Sequence, residues 1–96
     1  MALIRTTRFT ADPAQASEVV ARRRQMLAAL RSGPGGPAET RLIRVDEHTW
    51  VDMWRWDSPE ALQAAAEAAH HMPEATAAFA LVSDLAFEQG PIADED

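Results

Sequence analysis

The chain lacks several residue types altogether. Its 96 residues include no cysteine and no tyrosine, and neither asparagine nor lysine occurs anywhere in the sequence. Without cysteine there is no disulfide, no thiolate metal site and no cysteine nucleophile. No apolar run is long enough to span a bilayer, and the first residues lack the pattern of a secretory signal. These absences predict a soluble cytoplasmic protein that makes no membrane contact.

Positive charge is also scarce. The formal net charge is −6, and all nine basic residues are arginine. A surface this negative argues against general affinity for nucleic acid. The run Arg22-Arg23-Arg24 does not change this expectation, because three consecutive helical residues point in three directions and form no basic stripe.

The length is typical of one domain, which we place at residues 1–96. Apolar residues make up 47% of the chain, so it is not a disordered protein. A chain this short builds only a small core, and association with a second chain would bury surface that a monomer leaves exposed.

Alternating apolar and polar residues predict four strands. They cover residues 2–10, 39–45, 50–56 and 85–89. The short turn at residues 46–49 makes the two middle strands a hairpin.

Two helical regions separate these strands. Asp12 should cap the first, which ends before the glycine- and proline-rich loop "SGPGGP". Asp57 or Ser58 should cap the second, which runs through His71 until Pro73 breaks or kinks it. Helical spacing then resumes in "PEATAAFALVSD" through Ala75, Phe79 and Val82. The resulting order βαββαβ predicts a ferredoxin-like α+β domain, with the helices on one face of an antiparallel sheet.

All three tryptophans lie on the predicted third strand. One face of this strand carries Trp50, Asp52, Trp54 and Trp56, and the other carries Val51, Met53 and Arg55. Both faces therefore hold large apolar groups, although the helices can cover only one of them. We infer a partner subunit on the other face, most simply an identical chain in a homodimer.

Two segments resemble a known family. The sequences "VDMWRWDSPEALQAAA" and "MPEATAAFALVSDLAFEQ" are similar to antibiotic biosynthesis monooxygenase-like domains of the dimeric α+β barrel superfamily. The strand-to-helix segment "WDSPEA", residues 56–61, is the most specific part, and the element order agrees over nearly the whole chain. Members of this family include cofactor-free quinol and anthrone monooxygenases, haem-degrading enzymes and polyketide cyclases. The resemblance to the cofactor-free members implies a small aromatic substrate and no cofactor. No metal site is expected, because adjacent histidines rarely converge on one ion and no third ligand has a recognisable spacing.

The chain departs from two of the family's residue patterns. The quinol-forming members use an asparagine and a tyrosine, which this sequence lacks. The haem-degrading members use an asparagine on the first strand, together with a tryptophan and a histidine on the second helix. Those helical positions fall near Ala65 and Ala75 here, which argues against haem degradation by the family's mechanism.

Arg23 and Asp52 are the first pair of candidate catalytic residues. Asp52 lies between two indoles, where a carboxylate must be paired, solvated or shifted in pKa. Arg23 interrupts the apolar stripe of the first helix and is its natural partner. Together they could orient an oxygenated substrate or stabilise an oxyanion. Alternatively, Arg23 extends its charged end to solvent and Asp52 lies near an edge of the sheet.

His70 is the candidate general base, because imidazole titrates near neutrality and the helical periodicity puts this residue beside the buried stripe. The alternative is a histidine that only interacts with the dipole at the end of its helix.

The candidate substrate-binding residues are apolar. Trp50 and Trp54 could form a wall on which a planar ligand stacks, with Met72 and Phe79 as further contacts. Core packing is the alternative for the two indoles, and Trp56 is expected to be a packing anchor beneath the second helix.

The leading functional hypothesis is a cofactor-independent monooxygenase that acts on a polycyclic aromatic or polyketide-type small molecule. Two alternatives stay open, namely a polyketide cyclase of the same fold and a non-catalytic ligand-binding or structural dimer.

Overall fold

The protein folds as a four-stranded sheet with helices on one face. The computed structural model describes residues 1–96. The strands are β1 (Leu3–Ala11), β2 (Glu39–Arg44), β3 (Thr49–Trp56) and β4 (Val82–Pro91), and the helices are α1 (Ala16–Arg31), α2 (Pro59–Ala69) and α3 (Pro73–Phe79). A short 3-10 turn, Pro13–Gln15, precedes α1. The ferredoxin-like α+β fold expected from the sequence is confirmed.

The strand order is β2-β3-β1-β4, and each neighbouring pair is antiparallel. β1 is therefore central, although it comes first in the chain. β4 is twice as long as the predicted strand, because it pairs with β1 from Leu3↔Pro91 to Ala11↔Val82. This pairing outweighs the weak strand propensity of serine, aspartate, glycine and proline near the two ends of β4.

Side-chain caps begin the 3-10 turn and α2, whereas α1 and α3 have none at their first residues. The side chain of Asp12 accepts a hydrogen bond from a backbone N–H of the 3-10 turn, and that of Ser58 accepts one from the first turn of α2. α2 ends at Ala69, two residues before the predicted end at His71. Pro73 lies in the first turn of a separate helix, where its missing N–H costs nothing. None of the helices combines the length and the apolar character needed to cross a membrane.

The buried core lies between the sheet and the helices and consists of two clusters. The first contains Leu3, Met26, Leu30, Trp56, Ala65 and Ala75. The second contains Phe9, Ala11, Val19 and Trp50. Leu3 and Phe9 stand near opposite ends of β1, so the residues between them on the same face separate the two clusters.

The opposite face of the sheet has no helical cover. Ile4, Val51 and Met53 lie on this face and are only half-buried, and Ile43 on β2 is 57% exposed. The apolar character predicted for both faces of β3 is therefore present, and one of those faces is open.

Candidate active site

Four cross-strand pairs form the floor of the site. The odd residues of β1 face the helices opposite the even residues of β3. In order along the strands the pairs are Leu3↔Trp56, Arg5↔Trp54, Thr7↔Asp52 and Phe9↔Trp50. The two outer pairs are apolar and belong to the two core clusters. The two inner pairs carry the polar groups, so the polar part of the floor is closed by hydrophobic packing at both ends.

A cavity of about 160 Å³ lies between this floor and the helices. Most of its lining is apolar, and its polar side chains are Arg5, Thr7, Arg23 and Asp52. An apolar cavity of about 150 Å³ is known to bind benzene, so the enclosed space suits one aromatic ring.

The cavity opens beside three apolar side chains of α3 and β4. Phe79 is 44% exposed, Leu85 is 39% exposed and Phe87 is 48% exposed, and all three line the cavity. A planar molecule with more than one ring could therefore place one ring inside and extend the others across this apolar mouth.

Arg23 and Asp52 form the ion pair expected from the sequence. Arg23 Nε donates to Asp52 Oδ2 at 2.8 Å, and Arg23 Nη2 donates to Asp52 Oδ1 at 2.9 Å. The two side chains are 14% and 11% exposed, so the pair is largely removed from water. This forked geometry fixes both groups and neutralises the carboxylate beneath the cavity. The pairing is confirmed, whereas a catalytic role for either residue stays a prediction.

Arg5 is a second cation in the cavity that we did not predict as a site residue. Its guanidinium makes no hydrogen bond or ion pair within the protein, and its Nε is buried without a partner. The guanidinium carbon lies 4.2 Å from the centre of the Phe87 ring, in a cation–π contact. Burial lowers the pKa of Arg5 below its ordinary value, because desolvation disfavours the charged form.

The three indoles have different surroundings. Trp56 is 3% exposed and its Nε1 donates to the Gly35 carbonyl at 3.0 Å, as expected for a packing anchor. Trp50 stacks on Phe9 with ring centres 6.2 Å apart and does not line the cavity, so it is a core residue. Trp54 is half-buried, lines the cavity and has a buried Nε1 with no acceptor.

The structure brings together four of the seven predicted site residues. Those that line the cavity are Arg23, Asp52, Trp54 and Phe79. The other three, Trp50, His70 and Met72, lie outside its lining. His70 is exposed immediately after α2, and Met72 packs against the core at the start of α3. The histidine was expected beside the buried stripe, but its side chain is instead at the surface.

Several solved structures superpose on this chain over nearly its whole length. No protein-family model matches the chain, and no curated protein sequence matches it. A variant of SnoaB, a cofactor-independent oxygenase from Streptomyces nogalater, superposes with a TM-score of 0.79 at 21% identity, covering 98% of this chain and 95% of that one. A proposed antibiotic biosynthesis monooxygenase from Caulobacter crescentus gives a TM-score of 0.74 at 16% identity, covering 97% and 91%. Rv0793 from Mycobacterium tuberculosis gives 0.69 at 21% identity, covering 99% and 98%.

This is the fold of the antibiotic biosynthesis monooxygenase-like proteins. The resemblance that the sequence shows to these proteins is therefore confirmed for the architecture and over nearly the whole chain. At these identities the antibiotic biosynthesis monooxygenase-like fold says nothing by itself about which molecule the cavity accepts.

Proposed function

We propose that the protein is a cofactor-independent monooxygenase that acts on a polycyclic aromatic or polyketide-type small molecule. The observation that carries this proposal is an apolar cavity of ring size that contains a fixed ion pair and an unpaired arginine. SnoaB, which shares the fold, is itself described as a cofactor-independent oxygenase.

The proposed reaction takes its electrons from the substrate. A methylene carbon between aromatic rings is deprotonated to an electron-rich carbanion, which reacts directly with molecular oxygen. The carbon becomes a carbonyl, and the second oxygen atom leaves as water with the two hydrogens of the methylene. Because CH₂ and O₂ give C=O and H₂O, atoms and electrons balance without a further reductant. The protein has to bind the substrate, stabilise its anion and exclude water.

The cavity residues fit these tasks. The Trp54 ring and the apolar walls would hold the planar substrate and keep water away from its anion. Arg23 and Asp52 would orient the oxygen atoms of the substrate. Both oxygens of Asp52 already accept hydrogen bonds from Arg23 in the structure. The general-base role predicted for His70 stays a prediction, and the exposed position of this side chain outside the cavity gives it no support.

Oxygen uptake with an anthrone tests the proposal. The expected result is consumption of one O₂ per quinone formed, faster than the spontaneous oxidation without protein.

Trp54→Phe should raise KM, since Phe keeps much of the apolar volume but removes the indole. Arg23→Met should retain most of the packing but weaken binding of the anionic substrate. Arg24→Met is the matched control, because Arg24 is exposed and makes no hydrogen bond. If His70 is the base, His70→Ala should slow turnover by about 10²–10⁴-fold.

The same assay distinguishes the alternatives. An uptake rate no greater than the protein-free rate, across several anthrones, would contradict the monooxygenase. Anaerobic turnover of a polyketide would indicate a cyclase, and ligand binding without any turnover would indicate a binding or structural dimer.

We also propose a homodimer and a cytoplasmic location, as expected from the sequence.

A further inference from the structure

Two hydrogen-bond donors in the cavity have no acceptor in the protein. They are Arg5 Nε and Trp54 Nε1, both buried and both without a partner. Arg5 and Trp54 are directly opposite each other on β1 and β3. Side chains in such a pair stand about 5 Å apart at Cβ, so both donors serve the same part of the cavity. The third buried atom without a partner, Arg55 Nε, is on the other face of the sheet in a side chain that pairs with two glutamates.

The protein supplies no anion for Arg5. The nearest carboxylate along the floor is Asp52, one cross-strand pair away, and both of its oxygens already accept from Arg23. Within the protein, the group that interacts with the Arg5 charge is the face of the Phe87 ring. Arg5 Nε and Trp54 Nε1 are buried donors without acceptors, which is unfavourable until an acceptor arrives.

The charges that face the cavity sum to one positive charge. They are Arg5 on β1, Arg23 on α1 and Asp52 on β3, whereas α2, α3 and β4 contribute only uncharged side chains. This local charge is opposite in sign to the net charge of the chain, which is −6. The cavity therefore favours an anionic ligand with apolar faces over a neutral one.

We propose that Arg5 and the Trp54 N–H form an oxyanion site, and that the ligand is a planar aromatic phenol or enol bound as its anion. This inference rests on the proposed function in that it names the ionisation state of the substrate in the same cavity. The phenol or enol O–H releases its proton to solvent water, and the remaining O⁻ accepts hydrogen bonds from Arg5 and Trp54. By stabilising this anion, the site reduces the need for a strong base among the residues that line the cavity.

The test measures the pKa of a bound probe. 2-Hydroxyanthraquinone changes its visible absorption on ionisation, and its hydroxylated ring is of the size that the cavity encloses. With saturating wild-type protein, the pKa of the probe should fall by at least about one unit, which corresponds to a tenfold preference for the anion. Its methyl ether, 2-methoxyanthraquinone, cannot ionise and should bind at least tenfold more weakly at a pH where the phenol is ionised.

Variants assign the effect to its residues. Arg5→Met should abolish the pKa shift, Arg5→Lys should restore part of it, and Trp54→Phe should reduce it. Arg24→Met removes an exposed arginine and should leave the shift unchanged. Thermal unfolding of each variant establishes that it is folded before the titration is interpreted.

Three results would overturn the oxyanion site: no binding of either probe to the wild-type protein, binding without a pKa shift, or a shift that survives in folded Arg5→Met. The titration needs no turnover and no oxygen. A pKa shift without oxygen uptake would therefore leave the oxyanion site standing and refute the monooxygenase, and oxygen uptake without a pKa shift would do the reverse.

Discussion

The buried ion pair between Arg23 and Asp52 connects the sheet floor of the cavity to helix α1. Arg23 comes from α1 and Asp52 from β3, and the pair is held by two parallel hydrogen bonds. Removing such charges from water is costly, so an intact buried pair adds little net stability. Removing one partner is different, because the remaining charge is then buried alone.

We therefore predict that Asp52→Ala lowers the free energy of unfolding by about 3–5 kcal/mol. The double variant Asp52→Ala/Arg23→Met should recover part of this loss, since no uncompensated charge remains. Urea denaturation measures both, with Arg24→Met as the control for removal of an exposed arginine. A loss below about 1 kcal/mol in Asp52→Ala, the value of a surface pair, would show that solvent reaches this site in solution.

At the residue scale, the sequence predicted the partner of Asp52 but missed Arg5. An arginine within an apolar helical stripe and a carboxylate between two indoles are both unusual. Each is a charge in an apolar setting and therefore needs a partner of opposite charge. Arg5 was assigned no role from the sequence. The strand period contained the missing information, because Arg5 lies between Leu3 and Thr7 and must share their face.

The loop between α1 and β2 approaches α2 closely at Gly35. A Cβ atom on Gly35 would lie 2.5 Å from the backbone nitrogen of Ala65. The carbonyl of Gly35 accepts the hydrogen bond of the Trp56 indole N–H. We predict that Gly35→Ala destabilises the protein by about 1–3 kcal/mol, because the loop must move away from α2. Gly33→Ala is the control, since its Cβ would meet only one atom, at 3.9 Å. Equal melting temperatures for the two variants would contradict this.

The β2–β3 hairpin depends on an ionised side chain. The Asp46 carboxylate accepts backbone N–H groups of His48 at 2.9 Å and Thr49 at 2.8 Å. These two hydrogen bonds lower the pKa of Asp46 from its ordinary value, and the bond from His48 has the largest effect. Because the folded pKa lies below the unfolded one, the stabilisation is complete above about pH 4 and is lost as the pH falls through the folded pKa.

Asp46→Asn should consequently be less stable than the wild type at pH 7, and the difference should shrink in acid. Chemical denaturation between pH 7 and pH 2 measures it. Asp57→Asn is the matched control, because Asp57 is exposed and its side chain makes no hydrogen bond. A difference that stays constant over this pH range would show that the charge of Asp46 is irrelevant to the turn.

At the element scale, prediction failed where a helix end was extrapolated. The helical period of about 100° per residue placed His70 beside the buried stripe. Because α2 ends at Ala69, that period does not extend to His70, and the side chain is exposed. The break expected at Pro73 is confirmed, because α3 begins there. Helical spacing was expected to continue to Val82, but α3 ends at Phe79 and Val82 begins β4. The order of elements depends on many residues and was predicted correctly, whereas a terminus depends on one or two.

For the whole molecule, the open sheet face predicts a homodimer. Val51 and Met53 lie on this face without helical cover. Sedimentation at micromolar concentration should give twice the mass of one chain, and Met53→Asp should weaken association because it would bury a carboxylate. Gln63→Asp adds the same charge to an exposed position of α2 and should leave association unchanged. A monomeric wild-type protein at this concentration would refute the prediction.

The two-residue period of β1 and β3 has a consequence for engineering. Positions 5, 7, 52 and 54 all face the cavity, and positions 4, 6, 51 and 53 all face the open side of the sheet. A combinatorial library restricted to the first set would alter ligand preference while every clone keeps the wild-type open face. A library of the second set would vary that face around an unchanged cavity floor. Selection for a new ligand and selection for a new assembly can thus be run on separate codons of the same two strands.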